Sequence, residues 1–320
     1  MTAHPPLKWV AIGGGTGLAT LLAGLKARLD EISLTAIVTV TDDGKSSGRL
    51  RDEFSILPPG DIRSCLVALA DDDLLMTRLF SHRFPGEGDL GGHSAGNLII
   101  LALSQMSGDF MCAIDHARAL LGIGARVLPS TLDSVDLSAR IGDRDVQGQV
   151  AIKSQMAPIR RLSLVPGDAQ AFPAAVDAIL DADLITLGPG SLFTSVIANL
   201  LIDGIREALA KARAMKIYVC NVMTEADETD GFTAVEHVTQ LLAHCRDFHL
   251  DYAVFNSSPI SAEMRDRYAA EQAHVLDPPR VARLPDLDVH LVSLPLASEE
   301  RVVRHDPARL SQAILDLYNG

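Results

Sequence analysis

Glycine-rich segments that follow an apolar stretch or open a helical pattern constrain this chain more than any other feature. They lie at residues 13–17, 42–48, 91–97 and 188–191. A turn of this kind leaves backbone N–H groups free at a helix N-terminus, where they bind anions. One such loop is weak evidence, because many glycine turns are only structural. Their repetition along one chain predicts a shared anion-binding cleft.

The order of apolar segments predicts an α/β fold. Strands are expected at 9–12, 34–41, 183–187, 216–222 and 252–255, with helical patterns between them. Apolar strands that alternate with helices are typical of parallel sheets. We therefore expect a Rossmann-like three-layer α/β/α fold with a mostly parallel sheet. Residues 1–320 are expected to form a single large domain, since one apolar core can extend through a chain of this size.

A change of pattern around 127–153 predicts a small β-hairpin insertion. Two stretches there, 135–141 and 146–152, alternate apolar and polar residues and are separated by the turn sequence Gly-Asp-Arg-Asp. Alternation of this kind is typical of a half-buried strand. The hairpin would form an annex to the main sheet.

Charge and composition exclude several classes of partner. The formal net charge is −13, and neither nucleic acid nor an anionic membrane surface binds a chain without a broad positive field. No apolar run reaches roughly 18 residues, so we expect no membrane insertion and a cytoplasmic location. The cysteines are widely spaced and are expected to be reduced interior thiols. The apolar composition allows a homodimer.

The first glycine loop supplies the candidate ligand-binding residues Gly14, Gly15, Thr16 and Gly17. It is not the usual dinucleotide fingerprint, because Leu18 stands where the third glycine of G-x-G-x-x-G belongs. An NAD-dependent oxidoreductase is therefore the least favoured function. The loop is expected to cradle a phosphate, with a purely structural turn as the alternative.

Asp42 and Asp43 are the candidate metal ligands. Three interpretations stay open for them: Mg²⁺ ligands for a diphosphate, a hydrogen bond to a ribose, or a solvated turn. We favour the first, because the basic and hydroxyl side chains that follow are suited to the same anion. Those residues are Lys45, Ser46 and Arg49. We expect no cofactor other than Mg²⁺.

Two further motifs add polar candidates. Asp61 is expected to cap a helix through residue 70, and Arg63 lies in its first turn, a position that the helix dipole disfavours for a cation. An anionic ligand, or a surface carboxylate, would explain Arg63. His93, Ser94 and Asn97 precede an apolar helix and are candidates to contact ligand, although a structural hydrogen bond explains His93 equally well.

The last glycine loop, with Gly188, Gly190 and Ser191, is the strongest single candidate for binding a phosphate or sugar. It joins an apolar strand to a helix that carries several hydroxyl groups. Asn221 and Thr224 end the next predicted strand. Because parallel strands present their carboxyl ends at one edge, both residues are expected to reach the same cleft.

Taken in order, these motifs resemble those of the gluconeogenesis factor family (YvcK-like), in the superfamily of 2-phospho-L-lactate transferase (CofD-like). The matching segments are 13–18, 39–44, 46–51, 59–63, 92–98 and 188–191. The resemblance implies a Rossmann-like fold and binding of a nucleotide sugar such as UDP-N-acetylglucosamine. It also implies a part in cell shape and envelope synthesis during growth on gluconeogenic carbon.

The resemblance also extends to individual residues. Tyr268 and Arg304 look like the family's late nucleotide-contacting positions, for base stacking and phosphate pairing respectively. The acidic loop of the transferase relatives implies a metal-binding role for Asp42 and Asp43. Lys45 departs from the pattern, because a second glycine is common there. Other departures are Ala95, where leucine is common, and 225–227, where Gln-Pro-Gly is common.

The leading hypothesis is a binding or regulatory protein for a UDP-sugar, rather than an enzyme, because no nucleophile–base pair is evident in the sequence. The alternative is a Mg²⁺-dependent transferase of phosphorus-containing groups that acts on a diphosphate-linked nucleotide. In both cases the expected partner is a UDP-sugar or another nucleotide diphosphate.

Overall fold

The computed structural model describes residues 5–155, 159, 161–245, 247–284 and 287–320. Its strands are β1 (Leu7–Gly13), β2 (Ile32–Val38), β3 (Arg126–Pro129), β4 (Asp136–Ile141), β5 (Arg144–Gln147), β6 (Arg161–Val165), β7 (Leu184–Leu187), β8 (Met215–Val219), β9 (Tyr252–Asn256), β10 (Arg283–Leu284), β11 (Val289–Leu294), β12 (Ala297–Glu299) and β13 (Val303–His305).

The α-helices are α1 (Gly15–Leu25), α2 (Lys45–Phe54), α3 (Gly60–Leu69), α4 (Leu75–Ser81), α5 (Ala95–Ser107), α6 (Phe110–Leu120), α7 (Gln149–Lys153), α8 (Pro173–Leu180), α9 (Ala198–Leu200), α10 (Asp203–Lys211), α11 (Ala234–His244), α12 (Ala262–Ala270) and α13 (Pro307–Asn319). A π-helix, Leu192–Ile197, runs directly into α9.

The central sheet has eight strands in the order β10-β11-β9-β8-β7-β1-β2-β3. Every pairing in it is parallel except that of β10 with β11. The sheet is flanked by helices, which confirms the predicted α/β class. From β1 the chain builds outwards through β2 and β3, and later strands are added on the other side from β7. This reversal of direction makes a crevice at the carboxyl ends of β1 and β7, where α/β proteins bind ligands.

The insertion contains the predicted hairpin, but its bounds and content differ from the prediction. Strands β4 and β5 pair antiparallel, and β6 adds a third strand on the far side of β4. Residues 126–129 instead form β3 of the central sheet. The stretch 149–153 is helix α7 rather than strand. Gly148 turns the chain with φ of +96°, and the Asp43 carboxylate accepts a hydrogen bond from the backbone N–H of Val150 at 3.0 Å.

The core is apolar and fills both faces of the sheet. Trp9, Tyr218 and Phe193 are among its largest fully buried side chains. The indole N–H of Trp9 is satisfied by Thr186 Oγ1 on the adjacent strand, at 3.0 Å. The prediction of interior thiols is wrong for Cys112, which is exposed, whereas the other cysteines are buried. Among the described residues, no helix combines the length and apolarity that crossing a bilayer requires.

Candidate functional site

A cavity of about 410 Å³ lies at the carboxyl ends of β1, β7 and β8. We call it the glycine pocket. It is lined by Gly14, Gly15, Thr16, Gly17, Thr20, Pro189, Gly190, Ser191, Ser195, Asn221, Val222, Met223, Thr224, Glu225, Tyr268, Val303, Arg304 and His305. The first and last glycine loops and the two late family positions therefore meet in one place.

Glycine is required where the two loops touch. A Cβ added to Gly17 would lie 2.5 Å from both the Cα of Gly190 and the carbonyl oxygen of Pro189. No side chain fits there without moving the backbone. The side-chain amide oxygen of Asn221 accepts a hydrogen bond from the Gly190 N–H at 3.0 Å. Strands β1, β7 and β8 thus hold the floor of the pocket together.

The opposite wall comes from the C-terminal part of the chain. The ring of Tyr268 lines the pocket, and its hydroxyl accepts a hydrogen bond from the backbone N–H of Val303 at 3.0 Å. Arg304 is exposed on β13. His305 is buried, and its Nε2 has no hydrogen-bond partner among the described residues. Burial lowers the pKa of His305 to about 4, so the ring is neutral near pH 7.

The helix that follows the last glycine loop does not offer its N-terminus to a ligand. The buried carboxylate of Glu228 accepts hydrogen bonds from the N–H groups of Phe193 (2.8 Å) and Thr194 (3.3 Å). It also accepts one from the Thr194 hydroxyl at 3.1 Å. Lys153 of the insertion pairs with Glu228 at 3.2 Å and with Glu225. A phosphate at these N–H groups would compete with a carboxylate that is already in place.

The first glycine loop likewise faces a carboxylate. An added Cβ on Gly14 would lie 2.5 Å from Oδ2 of Asp61, and one on Gly15 would lie 3.7 Å from Oδ1 of the same side chain. The predicted capping role of Asp61 is wrong: α3 begins after Pro59, with no side-chain cap, and Asp61 points out of its first turn. Burial, reinforced by the negative charge of Asp42, raises the pKa of Asp61 to about 7.

The two predicted metal ligands diverge. Asp42 faces α3, where its Oδ2 would lie 2.9 Å from a Cβ on Gly60. Asp43 instead caps α7 of the insertion through Val150, and burial raises the pKa of its carboxyl group. Asp42 therefore lies near Asp61 at the start of α3, whereas Asp43 contacts the insertion. Within the described ranges, no cluster of three or more His, Cys, Asp or Glu side chains is arranged to hold a metal ion.

A second cavity, of about 470 Å³, lies beside the start of α2. We call it the basic pocket. Its lining is Lys45, Ser46, Arg49, Arg83, Gly91 and Gly92. The sequence motifs predict Lys45, Ser46 and Arg49 in the same cleft as the glycine loops, whereas the three residues line this separate cavity. Arg83 was missed, because no motif surrounds it.

Behind the basic pocket lies a hydrogen-bonded network of predicted residues. The Ser46 hydroxyl is 2.9 Å from Nδ1 of His93 and accepts a hydrogen bond from the Asn97 amide at 2.9 Å. Arg63 Nε donates to the side-chain amide oxygen of Asn97 at 3.0 Å. Ser94 caps α5 by accepting from the Asn97 N–H. Arg63 is thus held by an amide rather than by a carboxylate, and His93 has the structural hydrogen bond that the sequence allowed.

Known proteins resemble this chain over nearly its full length. Residues 9–297 match the family described as 2-phospho-L-lactate transferase CofD. The gluconeogenesis factor of Bacillus subtilis is 41% identical over 312 residues, covering 97% of this chain and 98% of that protein. The gluconeogenesis factor of Halalkalibacterium halodurans is 41% identical over 311 residues, covering 96% and 95% respectively.

Solved structures agree with these relatives. An X-ray crystal structure of a Bacillus halodurans protein matches with a TM-score of 0.93 and 41% identity, covering 97% of this chain and 100% of that one. A family model that spans most of the chain and relatives of this identity over nearly the full length confirm the resemblance seen in the motifs. The chain belongs to the CofD family, and within that family it is similar to the gluconeogenesis factors.

Proposed function

We propose that this protein binds a nucleotide sugar of the UDP-N-acetylglucosamine type in the glycine pocket, and that it acts in the cytoplasm in cell shape and envelope synthesis during growth on gluconeogenic carbon. The observation that carries the proposal is the composition of the pocket wall: an aromatic ring, an exposed arginine and a glycine floor face one cavity. These are the partners that a base, a diphosphate and a closely approaching backbone require.

Each part of such a ligand has a partner of suitable chemistry. Tyr268 is held by its hydroxyl and packs in part against a small apolar cluster, and its aromatic ring would stack on a base that enters the cavity it lines. Arg304 is exposed, and its guanidinium suits phosphate oxygens. Asn221 and Thr224 contribute amide and hydroxyl groups for the sugar. The cavity of about 410 Å³ is within the usual range for small-ligand sites.

Calorimetric titration tests this proposal. Purified protein is titrated with UDP-N-acetylglucosamine, NADH and a guanosine diphosphate compound, each with Mg²⁺ and with EDTA. The solution in the calorimeter is then assayed for product. Saturable binding of the UDP-sugar in EDTA, without product, supports the proposal. Tight binding of NADH, or of the guanosine compound alone, contradicts it. Arg304→Gln should weaken UDP-sugar binding, whereas the exposed Arg78→Gln on α4 serves as the matched control.

A transferase remains the second candidate, and one observation favours it. Asp42 and Asp61 are close enough for the charge of one to raise the pKa of the other. Two carboxylates in a partly buried site attract a divalent cation, which would relieve that repulsion. Asp42 and Asp61 would then hold Mg²⁺, and the ion would supply charge neutralisation for a transferred phosphoryl group. Asp43 is less suited, because it is bonded to the insertion.

Asp42→Asn separates the two functions. If the protein is a transferase, this variant should lose metal-dependent turnover and weaken Mg²⁺ binding measured by calorimetry. If it is a binding protein, metal-free binding of the UDP-sugar should persist. The exposed Asp52→Asn on α2 is the matched control, since it removes the same charge outside both pockets.

A further inference from the structure

The basic pocket concentrates positive charge in a strongly acidic chain. Lys45, Arg49 and Arg83 line one cavity of about 470 Å³, although the chain as a whole carries a formal charge of −13. Burial, followed by the charge of Arg83, lowers the pKa of Arg63. Burial, followed by the charge of Arg49, lowers the pKa of His93. The positive field of the pocket therefore extends to the polar network behind it.

Protein groups hold these arginines without neutralising them. Arg49 donates to the carbonyl oxygens of Gly91 at 2.9 Å and Asp89 at 2.5 Å, and Arg83 donates to that of Gly92. In the described part of the chain, Lys45, Arg49 and Arg83 have no carboxylate within the 4.0 Å of an ion pair. The two arginines are positioned, and none of the three cations is paired with a carboxylate, which is the arrangement of an anion site.

The rest of the cavity wall suits a phosphate group. Lys45 and Ser46 begin the ten-residue helix α2, so its free N–H groups lie at the same edge as the cations. Gly92 has φ of +79° and places the carbonyl that holds Arg83. Segment 42–46 lies between the two regions in sequence: Lys45 and Ser46 line the basic pocket, and Asp42 lies close enough to Asp61, beside the first glycine loop, for its charge to raise the pKa of that carboxyl group. The protein thus has two separate cavities whose linings suit ligand groups.

We propose that the basic pocket binds a second anionic ligand, a small molecule that carries a phosphate group, while the glycine pocket holds the nucleotide sugar. This deepens the proposed function and rests on it, because it gives the protein a second ligand beside the nucleotide sugar. It does not depend on turnover: a sensor would bind the second ligand as an effector, and a transferase would bind it as a substrate.

The test uses inorganic phosphate as the probe and the full chain. Phosphate binding is measured by calorimetry in EDTA, with the protein free and saturated with UDP-N-acetylglucosamine. Arg83→Gln should weaken phosphate binding about tenfold, the value of one charge-assisted contact, and should leave UDP-sugar binding within about twofold. Arg304→Gln should weaken UDP-sugar binding and should leave phosphate binding within about twofold. Arg78→Gln should change neither.

Lys45→Gly provides a second variant whose folding is secure, because φ at this position is +44° and glycine adopts that conformation readily. It should also weaken phosphate binding. If UDP-sugar fails to bind while phosphate binding depends on Arg83 and Lys45, the proposed function fails and the anion site stands. If phosphate does not bind, or if its binding depends on Arg304 and not on Arg83, the proposal is overturned.

Discussion

The glycine pocket and the basic pocket differ in charge: the first contains a carboxylate beside its one arginine, and the second contains three cationic side chains and no carboxylate. In the glycine pocket, Arg304 is accompanied by the carboxylate of Glu225, and the helix N-terminus behind Ser191 is already bonded to Glu228. In the basic pocket, cationic side chains meet at carbonyl oxygens, with no carboxylate in the lining. The lining of the first pocket is suited to shape and polar groups, whereas the lining of the second is suited to negative charge.

The difference shows what a glycine loop does and does not indicate. At Gly17 and Gly190 the absence of a side chain serves the close contact of two loops. At the last glycine loop, the backbone N–H groups that would attract phosphate are paired with Glu228. A helix N-terminus therefore marks an anion site only where the protein has not supplied its own anion.

Removal of the internal anion should have the largest effect on stability. Glu228 is buried and is bonded to Phe193, Thr194 and Lys153. Glu228→Ala leaves these donors unsatisfied, so we expect a loss of about 4 kcal/mol in the free energy of unfolding. Urea denaturation measures it. The control Glu207→Ala removes an exposed carboxylate and should change stability little; an equal loss in both variants would refute the capping role.

Acidification should cause the next largest loss in the free energy of unfolding, through His305 in the wall of the glycine pocket. The pKa of His305 is about 4 in the folded protein and 6.5 in the unfolded chain. Because only the unfolded state takes up the proton, stability is complete above pH 6.5 and declines as the pH falls to 4. The loss attributable to this group reaches about 3 kcal/mol.

Urea denaturation at pH 7 and pH 4.5 measures this loss. His305→Gln should be less acid-sensitive than the unmodified protein, and the exposed His116→Gln should behave like the unmodified protein. Identical acid sensitivity of His305→Gln and the unmodified protein would show that His305 titrates normally.

A smaller effect should follow when the two glycine loops are forced apart. The Cβ of Gly17→Ala would meet backbone atoms of 189–190 at 2.5 Å, so we expect a cost of about 2 kcal/mol. UDP-sugar binding should weaken, while phosphate binding in the basic pocket should not. Gly124→Ala is the control, because a Cβ there has no neighbour within 4 Å. If Gly17→Ala weakened the binding of both ligands equally, the two pockets would have to act as one site.

The smallest change should come from the basic pocket itself. Lys45→Gly removes a side chain from a left-handed backbone position, so it should raise the free energy of unfolding by about 1 kcal/mol. Ser55→Gly at the other end of α2, where φ is +53°, should stabilise the protein similarly. Phosphate affinity should fall only in Lys45→Gly; a fall in both would assign the effect to the helix rather than to the charge.

The sequence predicts the sheet well because its signals are local. An apolar run followed by glycines identifies β1 and β7, and their carboxyl ends do meet. The stretch 146–152 misleads, because its alternation of apolar residues resembles a strand. There the contact of Asp43 with Val150 and the turn at Gly148 favour a helix. That contact joins residues 107 positions apart, which no local pattern reveals.

The site residues also divide into those that local sequence signals predict and those that only long-range contacts bring into place. Gly14 to Gly17, Gly190, Ser191, Asn221 and Thr224 line the glycine pocket as their place after strands predicts, and Tyr268 and Arg304 join them where the family resemblance places them. Glu228 and Arg83 were missed. Glu228 lies 35 residues after Phe193, whose N–H it accepts from, and Arg83 acquires its role only when the chain brings it to α2.

A crystal structure of the full chain with UDP-N-acetylglucosamine and without added metal would show whether the glycine pocket holds the nucleotide sugar. We predict the base against the ring of Tyr268, the diphosphate between Arg304 and the loop of Gly14 to Gly17, and the basic pocket left for a separate anion. A nucleotide whose phosphates lie on Arg49 and Arg83, with the glycine pocket unchanged, would contradict the account.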